Sequence, residues 1–131
     1  SSTARPELAL ALEQLQAPGV DANRAIVFAH DADVVSLKLG LRAIHTRSFP
    51  PDPPPKAAGD AGPTARLLRA RGVTHVQVQF LESRALAGRN ALMAAFLESL
   101  AGTADVPGPM RVLDDRTGPE RGARSVVLGW R

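Results

Sequence analysis

Two periodicities alternate along the chain. Leu8, Leu12 and Leu15 recur at four- and three-residue steps, which puts them on one face of a helix from Pro6 to about Ala17. Pro6 suits its first turn, where a backbone N–H is not needed, and Pro18-Gly19 stops it. The unbroken apolar run of Arg24–Ala29 then predicts a strand covered on both faces. A polar turn, His30-Asp31-Ala32-Asp33, leads into a short helix over about Asp33–Leu39, with Gly40 as its stop. Arg42–Thr46 reads as a second short strand.

The stretch Thr64–Ser83 carries the clearest switch from one period to the other. Thr64 can cap a helix over Thr64–Arg71, and Gly72 can end it in the left-handed conformation. Val73–Phe80 then repeats every two residues. Thr74, Val76, Val78 and Phe80 point one way, and Val73, His75, Gln77 and Gln79 the other. With one face polar, this strand is expected near an edge, or facing a groove or a partner. Further on, Leu92, Met93, Phe96, Leu97 and Leu100 make a wide stripe on a helix over Gly88–Leu100. Met110–Leu113 and Ser125–Trp130 predict a terminal hairpin joined by Asp114–Arg124.

Between the second strand and the helix at Thr64 lies Ser48–Pro63, with six of the 11 prolines. Pro fixes φ and removes donors, so this is a loop of polyproline II character. It is too short to separate independent domains. The pattern predicts one α/β domain over residues 1–131. It is expected to be a three-layer sandwich of about five strands, mainly parallel, with a C-terminal antiparallel hairpin.

Composition narrows the function classes. The 131 residues are 44% hydrophobic but 4% aromatic, so the core rests on Leu, Val, Ile and Ala, and base stacking is weakly supported. Sixteen bases against 13 acids give +3, and only Lys38 and Lys56 are lysines, so nucleic acid is not an expected partner. There is no cysteine, which excludes disulfides, thiolate metal sites and cysteine nucleophiles. No run approaches the roughly 18 apolar residues of a membrane span. The start at Ser1, without Met, fits a processed or excised domain.

Candidate chemistry concentrates at His30, Asp31 and Asp33. They follow the most apolar strand and open a helix, where open α/β sheets bind ligands. An imidazole and two carboxylates can bind a ligand, hold a divalent metal or act as acid and base; the competing role is helix capping. His45 and His75 sit on the next two strands and would converge with His30 only if depth along the sheet allowed. His75 joins the ligand-binding set, while no metal or cofactor is assigned. Arg66 and Arg69 lie one turn apart and can grip an anion together or line a solvated face. The chain has neither a phosphate-binding glycine loop nor a nucleophile elbow.

The sequence of elements, with RAIVFAHDADVVSLKLGLRAIHT, LLRARGVTHVQV and the closing SVVLGWR, resembles the soluble C-terminal domain attached to polytopic membrane glycosyltransferases of the protein-O-mannosyltransferase-like type. The resemblance implies an extracytoplasmic, non-catalytic accessory domain that assists acceptor or partner binding beside the membrane part of its own parent chain. That family's catalytic carboxylates lie in the membrane part, so none transfers to this chain. Two other expectations stand beside it. One is a free-standing ligand- or metal-binding protein or enzyme with its site at His30–Asp33. The other is an interaction module, self-associating through the mixed face of Val73–Phe80 or the hairpin near Trp130.

Overall fold

A computed structural model describes residues 4–131. Four helices, α1 (Pro6–Leu15), α2 (Ala32–Leu39), α3 (Pro63–Ala70) and α4 (Ala87–Ala101), surround five strands: β1 (Ile26–Ala29), β2 (Arg42–His45), β3 (His75–Phe80), β4 (Met110–Thr117) and β5 (Arg124–Trp130). They form one sheet in the order β2-β1-β3-β5-β4. β1 runs parallel to β2 and β3, with Ala29 opposite both His45 and Gln77. β5 is antiparallel to β3 and β4. The sheet is therefore mixed, with its parallel part confined to the first three strands.

Successive strand residues point to opposite faces, and the core divides accordingly. Phe28, Val76, Val78, Val126 and Leu128 share one cluster with Leu68 of α3 and with Met93, Phe96 and Leu100 of α4. Phe28 anchors it, packing edge-on against Phe96 at 5.3 Å and tilted against Phe49 at 5.8 Å. Val27, Ala29 and Val127 share the second cluster with Leu15 of α1 and Val35 of α2.

The polar face of β3 corrects the sequence expectation. β3 is the central strand rather than an edge, and Gln77 and Gln79 are fully buried. Their amide nitrogens bond within the seam, while Gln77 Oε1 has no hydrogen-bond partner. Gln77 Nε2 donates to Gln79 Oε1 and to Ser125 Oγ, both at 3.0 Å. Gln79 Nε2 donates to Asp31 Oδ2. Gln14 of α1 donates to Asp114 Oδ2 and to the Ser125 carbonyl, both at 2.9 Å. A polar seam thus runs between α1 and the sheet.

Local devices hold the other elements. Gly40 and Gly72 take φ of +68° and +79°, the left-handed region glycine enters cheaply. α3 is not capped by Thr64. Asp52, in the Pro-rich loop, accepts from the Thr64 and Ala65 amides at 2.9 Å each. β4 runs on to Thr117, past the Asp114-Asp115 pair expected in a turn. A register shift between Val112 and Asp114 accommodates it, and Arg124 binds Asp115 through two nitrogens at 3.0 and 2.8 Å. No described helix is long and apolar enough to cross a membrane.

Candidate functional site

The parallel strands fix where a ligand can sit. The chain leaves β1 through α2 to β2 on one side, then returns through α3 to β3 on the other. Connections therefore diverge at the C-terminal ends of β1 and β3, the switch point where α/β sheets leave a crevice. A pocket of about 460 Å³ lies there, walled by His30 and Asp31 after β1, Leu81 and Ser83 after β3, and Arg89 of α4. Ala4 and Arg5 before α1 and Arg121 of the β4–β5 turn complete it.

Each wall residue has a local cause. His30 and Asp31 are set by the last rung of β1 and the start of α2, with Asp31 at its N-cap position. Its carboxylate makes no capping bond, however. Arg5 Nη2 donates to Asp31 Oδ2 at 2.6 Å, and Gln79 donates to the same oxygen. Burial opposes ionisation of Asp31. The bonds from Arg5 and Gln79 and the charge of Arg5 outweigh it and hold the carboxyl below its usual range. Asn90 pins the end of β3 with its side-chain amide, donating to the Leu81 carbonyl at 2.8 Å. Arg121 holds φ +46°, the one positive value at a non-glycine among the described residues, and its Nη2 donates to the Ala4 carbonyl at 3.1 Å.

Arg89 is the residue that sequence reasoning missed. Its side chain is 8% exposed and meets the fully buried Glu7 carboxylate, Nη1 to Oε2, at 2.9 Å. Glu7 also faces Arg5 at 3.6 Å. Nε and Nη2 of Arg89 have no hydrogen-bond partner. One signal was present in the sequence: an arginine in the first turn of a helix, just after Gly88, stands against the positive end of the dipole. Glu7 and Gln14, seven residues apart on α1, were a second, since that spacing puts both on one face.

The expected site residues separate. His30 and Asp31 line the pocket. Asp33 is exposed in the first turn of α2. His75 sits at the opposite end of the sheet, beside a second cavity of about 310 Å³ near Gln14 and Leu113, and its Nδ1 lies 2.7 Å from Thr74 Oγ1. His45 ends β2, level with the end of β1, and its ring meets His30 at 5.5 Å. Burial lowers the His30 pKa, and the charges of Arg89, His45 and Arg47 push the same way against the pull of Asp31. Its Nδ1 is buried without a partner. Burial also lowers the His75 pKa. Among the described residues no group of three His, Asp or Glu could hold a metal ion.

The arginines of α3 serve the scaffold. Arg66 donates to the Ala61 carbonyl, Arg69 lies 4.8 Å over the Trp130 ring and Arg71 5.0 Å over Phe49. Trp130 is itself tied inward, donating to the Val73 carbonyl at 2.6 Å. Chemically, the pocket offers guanidinium donors, a neutral imidazole and one well-held carboxylate. Comparison with protein-family models, curated proteins and solved structures returns no match.

Proposed function

We propose that this chain is a ligand-binding α/β domain whose site is the pocket at the ends of β1 and β3. The observation behind it is Arg89: a charged side chain buried in the wall of a switch-point crevice with two nitrogens unsatisfied. Leaving buried donors unpaired costs stability, so such an arrangement is expected where a ligand supplies the missing acceptors. We read the scaffold as three layers, with α1 and α2 on one face and α3 and α4 on the other, which leaves the strand ends as the open surface. The family resemblance gives the domain a setting as a non-catalytic accessory unit of a membrane glycosyltransferase-like protein. There it would stand on the extracytoplasmic side, binding an acceptor or the membrane part of its own chain.

Two measurements test this. In a ¹⁵N-resolved NMR titration with neutral saccharides, sugar phosphates, amino acids and short peptides, at least one class is expected to shift the amides of His30, Asp31, Leu81, Ser83 and Arg89. A panel with no such response removes the ligand-binding reading. A parent reading frame without membrane spans upstream of Ser1 removes the accessory setting and leaves a free-standing binding protein.

A second reading, self-association, has its support in β4. This edge strand leaves Val112 and Leu113 each 48% exposed. A monomeric mass at millimolar concentration counts against it.

A further inference from the structure

We propose that the ligand of this pocket carries an oxyanion, a phosphate or carboxylate group, held by the free edge of Arg89; this deepens the ligand-binding reading and rests on it. The two unpaired nitrogens of Arg89, Nε and Nη2, form one side of the guanidinium fork. That edge presents two parallel N–H groups, the geometry that matches two oxygens of a phosphate or carboxylate. Nη1, on the other edge, is already engaged by Glu7. The arginine is thus anchored from behind by a buried carboxylate and keeps its bidentate edge unused.

The surroundings favour negative charge independently of Arg89. The wall includes residues at the starts of α1, α2 and α4. None of these three helices has a side-chain cap. Their first-turn amides and the positive ends of their dipoles therefore favour an anion. Arg121 adds a cation at the exposed rim. Asp31 is hydrogen-bonded by Arg5 and Gln79, while Glu7 faces Arg89 and Arg5 as ion pairs and neither of its buried oxygens makes a hydrogen bond. His30, held neutral by burial, can donate one hydrogen bond without adding charge.

The test is titration of the intact chain with inorganic phosphate at pH 7 and low ionic strength. Acetate and glucose serve as parallel arms, followed by calorimetry and ¹⁵N NMR that includes the arginine Nε region. Phosphate is expected to bind saturably and to move the Arg89 Nε resonance together with first-turn amides of α1 and α2. Arg89→Lys keeps the charge but loses the fork, and is expected to weaken phosphate by about tenfold, the value of one charge-assisted contact. Because that change also touches Glu7, Arg121→Gln serves as a second variant outside the buried pair, with an expected weakening of about threefold from one rim charge. Acetate binding without phosphate binding keeps the oxyanion and assigns it to a carboxylate. Glucose shifting the pocket amides while both anions leave them unmoved overturns the oxyanion and keeps the ligand site. Silence in all three arms overturns the oxyanion, and the wider ligand panel then decides the site itself.

Discussion

At the scale of single residues, the polar seam under α1 is the unusual part of this molecule. Gln79 accepts from Gln77 and donates to Asp31, so its removal takes one hydrogen bond from each and leaves a hole. Gln79→Ala is expected to cost about 3 kcal/mol in urea-induced unfolding, combining lost packing with lost hydrogen bonds. The histidines set a pH dependence. His30 and His75 both have pKa values below the ordinary 6.5. On acidification the unfolded chain takes up those protons first, so stability is intact above pH 6.5 and declines as the pH falls beneath it. Asp31, with its pKa below 3.8, adds stability that is present above that value and lost at lower pH. Thermal melts are expected to show a lower midpoint at pH 5 than at pH 7.5, with His75→Gln flattening the slope. The sequence displayed Gln77 and Gln79 as polar but could not say that they are buried. Burial depends on what is laid across them, and Glu7 and Gln14 were hidden inside a helix read for its leucines. Likewise His30 and Asp31 were legible from their place after an apolar strand, whereas Arg89 sat in a helix pattern whose exposed side is ordinarily charged.

At the scale of elements, the alternation of periods was enough to find the four α-helices and five strands among the described residues, because most bury one apolar side, whereas the short 3-10 turns at Thr46–Ser48 and Arg84–Leu86 gave no period to read. Their ends were less legible, since caps come from distant residues. α3 is the clear case: its cap lies 12 and 13 residues upstream of the amides it serves. Asp52→Ala is expected to destabilise the chain by about 1.5 kcal/mol, measured by chemical unfolding. Gly62 tests the same device from the other side. A Cβ there would stand 2.3 Å from Asp52 Cγ. Gly62→Ala is therefore expected to displace the carboxylate and to cost less in an Asp52→Ala background than alone, a non-additivity read from a double-mutant cycle. The β4 strand outran its prediction for a related reason. Asp114 and Asp115 are poor strand residues, but Gln14, Arg116 and Arg124 supply their partners.

At the scale of the molecule, topology decides which parts are secure. β3 is paired on both sides, by β1 and by β5, while β2 and β4 form the edges. Amide exchange is expected to be slowest in β3 and faster in β2 and β4. Deleting residues 124–131 removes the strand that joins β3 to β4. The shortened chain is expected to lose the dispersed NMR spectrum of a folded protein, an outcome that separates this topology from one in which the hairpin is an ornament. The same order has a consequence for biosynthesis. The parallel half of the sheet, β1 to β3, is translated well before β5, yet β3 keeps an open side until β5 arrives. During that interval the central strand of the finished molecule, which carries Val76 and Val78, is an unprotected edge. A ribosome paused in the Asp114–Arg124 stretch would hold the chain with that edge open, and slow codons there are expected to lower soluble yield more than slow codons before His75.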